Sequence, residues 1–102
     1  MATTTKKSRK IVRTYSAGVF FGQVEHLDMA AQTAVLKNAR RIWYWSGAAS
    51  LSELAMRGTS DPGGCKFPTP VARVELAQVI EVLDVTSDAA KSIDAVKEWT
   101  RF

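Results

Sequence analysis

The stretch NARRIWYWSGAASLSELAMRG, residues 38–58, carries the most informative pattern of the chain. Two adjacent arginines and three successive aromatic residues precede a run of small residues, which interrupts the strand pattern. Ser50 and Glu53 then match a capping box, with a hydroxyl at the N-cap and a carboxylate three residues later. The pattern predicts a strand, a turn and a helix over Leu51–Arg57 that stops at Gly58.

The segments around this stretch predict a small, mostly β structure. Four short segments are rich in β-forming residues, namely residues 10–16, 19–27, 32–37 and 40–45. Residues 28–30 are expected to turn, and residues 38–39 to form a tight turn or kink. Residues 58–70 contain all three prolines and predict a loop. Residues 73–85 return to β character, with a bulge or bend expected at 77–78 because the alternation breaks there.

The C-terminal part of the sequence adds a second helix. Thr86, Ser87 and Asp88 favour a helix start, and the helix should extend to about Ile93. Residues 96–102 are compatible with a helix continuation or with an edge strand. The expected fold class is therefore α+β: a small, mostly antiparallel or curved sheet with one short inserted helix and one C-terminal helix. We expect one domain over residues 10–102, preceded by a disordered basic tail at residues 1–9.

Composition and charge exclude several classes of protein. The chain has 102 residues, is 46% hydrophobic and contains one cysteine, so a real core is expected and an internal disulfide is impossible. We expect no membrane span and no secretory signal, which favours a cytoplasmic protein. Of the net charge of +4, the first ten residues supply four positive charges, so the body is near neutral. Such a tail is typically solubilising; the alternative is contact with nucleic acid.

The residues that most often perform catalysis are sparse. His26 is the single histidine, and its neighbour Glu25 would point to the opposite face of a strand. Cys65 follows two glycines and precedes Lys66, which could activate a thiol, but a small residue that anchors the loop is the favoured interpretation. One histidine and one cysteine cannot complete a zinc site. We therefore expect no enzymatic activity, no metal and no cofactor.

The aromatic strand supplies the candidate site. If residues 40–45 form a strand, Arg41, Trp43 and Trp45 share one face, which could stack a base and pair with a phosphate. Free N–H groups before the helix could assist, although the capping box competes for them. The alternative is that one face is core and the other a subunit contact. The candidate ligand-binding residues are Arg40, Arg41, Trp43, Trp45, Ser46, Gly47, Ser50, Arg57 and Lys66.

Four motifs together resemble a known family: IVRTYSAGVFFG, LKNARRIWYWSGAASLSELAMRG, CKFP and VIEVLDVTSDAAKSI. They are similar to small proteins encoded largely by bacteriophages and prophages, whose domain has no assigned function. The resemblance implies an accessory protein in the cytoplasm of a host bacterium, and it brings no catalytic or ligand residues. Small phage proteins of this kind include inhibitors of host defence, some of which are oligomers that hold a signalling nucleotide.

Three functions remain open on this basis. The first is a non-enzymatic homo-oligomer that sequesters a phosphate-containing small molecule, such as a nucleotide or cyclic nucleotide. The second is a protein-interaction or structural module, whose aromatic faces contact a subunit or a host protein. The third is single-stranded nucleic-acid binding, in which the basic tail follows the backbone and the tryptophans stack on bases.

Overall fold

A computed structural model describes residues 9–100 of the chain. Its elements in chain order are β1 (Arg9–Thr14), β2 (Val19–Asp28), β3 (Thr33–Arg41), α1 (Leu51–Arg57), a 3₁₀ turn (Pro62–Gly64), β4 (Val71–Ala77), β5 (Val79–Asp84) and α2 (Ser87–Asp94). The strands form one antiparallel sheet in the order β4-β3-β2-β1-β5. The predicted α+β class, with one inserted and one C-terminal helix, is confirmed. The structure shows no described helix that is long and apolar enough to cross a membrane.

The sheet is strongly curled because its two edge strands are consecutive in the chain. In a flat five-stranded sheet the edges would lie about 19 Å apart, yet only Gln78 separates β4 from β5. Gln78 has a φ of 58°, and its carbonyl accepts a hydrogen bond from Tyr15 N–H at 2.9 Å. Next to it, Val79 N–H donates to the carbonyl of Gln32 at 3.0 Å. The predicted bend at 77–78 is confirmed, and it forms a corner at which the two edges of the open sheet meet.

Curling gives the sheet a core on each face. Neighbouring residues of a strand point to opposite faces, and accordingly Ile11 and Phe21 belong to one buried cluster, Val12 and Phe20 to the other. The first cluster packs under the helices and the loop that contains Phe67. The second is enclosed by the strands themselves. Phe20 and Phe21 are almost fully buried, so these two neighbouring phenylalanines contribute to both cores.

The third and fourth predicted strands are one element, which corrects the turn expected at residues 38–39. Asn38 has a φ of 49°, but it forms a β-bulge inside β3 and not a turn. Asn38 and Ala39 together lie opposite the single residue Gly22 of β2. A Cβ on Gly22 would lie 3.0 Å from the Cα of Ala39, so the close approach of these backbones favours glycine.

Charges at the two ends of the sequence meet on β1. Arg9 pairs with Asp94 at 2.7 Å, and Arg13 pairs with Glu81 at 2.9 Å. A further ion pair joins Lys10 and Asp84. Arg9 belongs to β1, so the expected tail boundary shifts by one residue; residues 1–8 lie outside the described part of the chain. Two of the four positive charges in the first ten residues, those of Arg9 and Lys10, are therefore paired with acidic residues of the fold.

Both helices begin, and α1 also ends, as their capping residues predict. Ser50 Oγ accepts a hydrogen bond from Glu53 N–H at 3.2 Å. The Glu53 carboxylate accepts one from Ala49 N–H at 2.6 Å, one residue earlier than in a standard capping box. Gly58 ends α1 with a φ of 77°, and the side chain of Thr86 caps α2. Local hydrogen bonds thus set the positions of the helices.

We predict that Ser50→Ala lowers the free energy of unfolding by about 1 kcal/mol, because the Glu53 N–H loses its cap. Ser52→Ala is the matched control: Ser52 is exposed within α1, where alanine is the better helix former, so this variant should be neutral or slightly stabilised. Urea denaturation followed by circular dichroism measures both. Equal stabilities of the two variants would contradict a stabilising role for the cap.

Candidate ligand-binding site

Arg40 is directed inward from β3 and serves the packing of α2. Its Nη1 donates a hydrogen bond to the carbonyl of Ile93 at 2.9 Å, and its guanidinium lies 5.2 Å from the ring centroid of Phe67. Burial lowers the pKa of Arg40 from its ordinary value, although Asp94 and Glu98 oppose this shift. Because its donors face protein groups, Arg40 is a structural link between the sheet and the end of α2.

Arg41 and Arg57 also lie away from a common site. Arg41 donates to the carbonyl of Ala17 and lies 4.4 Å from the ring centroid of Phe20. Arg57 lies 3.7 Å from the Glu53 carboxylate on the surface of α1. The arginines of the predicted ligand-binding set therefore point to three separate places, and none of them joins the tryptophan face expected from the sequence.

Trp43 and Trp45 do not share a face, which corrects the prediction from strand alternation. β3 ends at Arg41, and the alternation of side chains ends with it. Trp43 is 59% exposed, whereas Trp45 is half-buried and packs against the first core cluster. Trp45 Nε1 donates to the carbonyl of Ala48 at 3.3 Å, so this ring holds the turn in place.

The small-residue turn that contains Ser46, Gly47 and Ser50 is closed by its own loop contacts. Ser46 Oγ bonds to the Asp61 carboxylate at 3.0 Å, and Thr59 Oγ1 donates to the Ser46 carbonyl at 2.5 Å. The carbonyl of Gly47 accepts from Ser60 N–H at 3.1 Å. The turn therefore supports the following loop, and the N–H groups of Ala49 and Glu53 at the start of α1 already bond to side chains.

Cys65 anchors the same loop, as the sequence suggested. Cys65 is buried, with 6% of the residue exposed. The sulfur lies 3.5 Å from both the nitrogen and the carbonyl oxygen of Ser46, and 3.7 Å from Thr59 Oγ1. Within residues 9–100, no group of three or more His, Cys, Asp or Glu residues is arranged to hold a metal ion.

The side chains that do converge are Lys66 and three aromatic rings. Lys66 Nζ lies 5.6 Å from a ring centroid of Trp43, 5.8 Å from Tyr44 and 5.5 Å from Trp99. A backbone bridge between Tyr44 and Lys66 fixes one side, and Trp99 N–H donates to the carbonyl of Phe67 at 2.9 Å on the other. We call Trp43, Tyr44, Lys66 and Trp99 the aromatic cluster.

The aromatic cluster lies on the surface. Trp43 and Trp99 stack with centroids 5.2 Å apart and an interplanar angle of 16°. Trp43 and Tyr44 are more than half exposed, and Trp99 is 37% exposed. Lys66 has no carboxylate partner among the residues that the structure describes. Flat exposed rings around an unneutralised ammonium group can stack an aromatic ligand and attract an anion.

A pocket of about 430 Å³ adjoins the cluster through Trp99. It is lined by Pro62, Gly63, Cys65, Ala95, Lys97, Glu98 and Trp99. Lys97 is exposed and adds a second positive charge, while Glu98 accepts a hydrogen bond from Thr69 Oγ1 at 2.9 Å. The pocket thus offers one aromatic wall, one cation and one carboxylate.

Of the nine candidate residues, the structure brings only Trp43 and Lys66 together in the aromatic cluster. Sequence reasoning missed Tyr44, Lys97 and Trp99. A signal existed, because Trp99 is the third tryptophan of the chain and lies in the segment 96–102 whose conformation the sequence left open. In the structure Glu98 forms a parallel bridge with Phe67, which carries Trp99 onto the cluster.

We predict that Gly47→Ala lowers the free energy of unfolding by at least about 2 kcal/mol, because Gly47 has a φ of 80° and an added Cβ would lie 2.6 Å from Thr59 Oγ1. Gly63→Ala is the control, since a Cβ there has no neighbour within 4 Å. Thermal unfolding of both variants makes the comparison. A Gly47→Ala protein as stable as the Gly63→Ala protein would refute the structural role of this turn.

Comparison with known proteins identifies a family but no function. The model of a family described as "Domain of unknown function (DUF6948)" matches residues 7–93. Neither the curated proteins nor the solved structures give a significant match. The matched range includes Trp43, Tyr44 and Lys66, whereas Lys97 and Trp99 lie beyond it.

Proposed function

Since the chain belongs to the DUF6948 family of unknown function, we propose from its surface that it binds, without catalysis, a small molecule bearing an aromatic ring and a phosphate. The observation that carries this proposal is the position of Lys66 Nζ, within 5.8 Å of three ring centroids and without a described carboxylate partner. A nucleotide combines the two features that such a cluster recognises: a flat ring and an anion.

The base of the ligand extends the existing tryptophan stack. One face of Trp43 lies against Trp99, and the high exposure of Trp43 leaves its other side accessible. Stacking of a base on an aromatic side chain contributes about 1–3 kcal/mol. The phosphate pairs with Lys66, and Lys97 lies beside the same pocket as a second cation. The pocket volume is within the range common for small-molecule sites, about 300–1,000 Å³.

The proposed ligand-binding residues differ from those expected from the sequence. Trp43 and Lys66 remain, with Tyr44, Lys97 and Trp99 added. Arg40 and Arg41 leave the ligand set, since their guanidinium groups bond to the carbonyls of Ile93 and Ala17. The turn before α1 is a support for the loop and not a phosphate site.

Sequestration of a host signalling nucleotide by a phage-encoded protein is the most specific form of this proposal. It rests on the resemblance to small phage proteins and on the exposed aromatic cluster around Lys66. Single-stranded nucleic acid is less well supported, because two of the four basic residues near the N-terminus, Arg9 and Lys10, pair with Asp94 and Asp84. A protein ligand for the cluster is the main competing possibility.

We predict that a panel of nucleotides and cyclic nucleotides contains ligands that quench tryptophan fluorescence and raise the melting temperature. Ligand at about 100 times Kd should stabilise the protein by about 2.7 kcal/mol. Trp43→Ala and Lys66→Gln should each weaken binding at least about tenfold, since either a stacking partner or a phosphate partner is lost. Titration by fluorescence measures these constants.

Lys91→Gln is the matched control, because Lys91 is exposed on α2 and belongs to neither the cluster nor the pocket. A nucleoside should bind more weakly than its nucleotide, and Lys66→Gln should reduce that difference. If Lys91→Gln and Lys66→Gln weaken nucleotide binding equally, binding depends on the net charge of the protein and not on the cluster. The proposal is wrong if no nucleotide binds and the wild-type protein, but not Trp43→Ala, captures a host protein. The cluster would then recognise a protein.

A further inference from the structure

The outer edge of β4 is an unpaired strand edge. β4 forms hydrogen bonds with β3 on one side, and no described strand pairs with its other side. Its sequence, VARVELA, contains no lysine, proline or glycine, and it pairs with β3 without a register shift. Natural sheets usually protect such edges with lysine, proline or bulges, because an unpaired edge is a template for another strand.

The other edge of the sheet differs in charge and surroundings. The charged residues of β5 are Glu81 and Asp84, both acidic, and they pair with Arg13 and Lys10 of β1. Two copies of β5 therefore have no opposite charges to place against each other. β5 also contacts α1, whereas among the described elements β4 packs chiefly against β3. The two edges are thus not equivalent, and β4 is the one suited to self-pairing.

β4 is complementary to itself in the antiparallel direction. Its charged residues, Arg73 and Glu75, lie symmetrically on either side of Val74, the middle residue of the seven. Antiparallel pairing of all seven residues with a second copy places Val74 on the two-fold axis. Arg73 then lies directly opposite Glu75 of the partner subunit, and the same pair recurs across the axis. Opposite charges at facing positions stabilise strand pairs.

We propose that two copies of this protein associate through β4, antiparallel about a two-fold axis at Val74, to form one continuous ten-stranded sheet. Arg73 and Glu75 lie on the exposed face of the strand, where Arg73 Nη1 already contacts Glu75 of its own chain at 2.6 Å. The pairing therefore extends this contact into a ladder of four alternating charges. Val74 and Leu76 lie on the opposite face, against the second core cluster. This inference is independent of the proposed ligand.

Charge reversal at Arg73 and Glu75 tests this pairing register specifically. In Arg73→Glu, a glutamate faces Glu75 of the partner subunit, and in Glu75→Arg, an arginine faces Arg73. Each variant should dimerise at least about tenfold more weakly than the wild type, because attraction becomes repulsion twice. In an equimolar mixture, Arg73→Glu and Glu75→Arg chains should form a heterodimer, because both facing pairs are again of opposite sign.

Sedimentation equilibrium of the full chain, with the variants checked by circular dichroism, measures these masses. Hydrogen exchange supplies a readout without mutation: amides of β4 in the wild type should become more protected as protein concentration rises. A wild-type monomer at the highest soluble concentration overturns the proposal. So do a dimer without added protection of β4, a dimer unaffected by either substitution, and a mixture of folded variants that stays monomeric.

Discussion

The join between β4 and β5 is the constraint on which the rest of the structure depends. A single residue, Gln78, connects strands at opposite edges of a five-stranded sheet, so the sheet has to curl until those edges meet. Curling encloses one core among the strands and leaves the other face open for the two helices. A chain of 102 residues thereby buries aromatic residues on both sides of one sheet, which a flat sheet of this size could not do alone.

The layer on the outer face also assembles the candidate site. Arg40 on β3 holds the end of α2 through the carbonyl of Ile93, and the chain then runs back along Phe67. That path brings Trp99 onto Trp43, on the segment that leaves the sheet where β3 ends. The backbone bridge to Tyr44 places Lys66 beside both rings. The site is thus composed of residues from connecting segments, while the sheet and helices fix where those segments lie.

The helices and the corner were predictable because their signals are local. Ser50, Gly58 and Thr86 specify helix ends through hydrogen bonds to residues a few positions away, and the broken alternation at 77–78 marks the bend. The end of β3 was not predictable, because it depends on a partner: β4 begins at Val71, opposite Ala39, and beyond it the ladder has no second strand.

The candidate site was only partly predictable, because it too depends on partners that are distant in the sequence. Trp43 and Lys66 were identified by residue type, but the partner that stacks on Trp43 lies more than half the chain away in sequence. Arg40 and Arg41 entered the candidate set by residue type, whereas in the structure their guanidinium groups contact backbone carbonyls and aromatic rings of the protein. Residue type shows what a side chain can bind, and only the fold shows which partner it has.

The position of β1 determines the order in which the molecule can assemble. β1 pairs with β2, the next strand in the sequence, but also with β5, where Lys10 contacts Asp84, 74 positions later. While the chain is being synthesised, the first four strands can form a meander in which β1 is temporarily an edge. The bend at Gln78 then directs β5 to the free edge of β1. Pairing of strands so far apart in the sequence is intrinsically slow. The sheet is therefore complete only after β5 has been synthesised and has paired with β1.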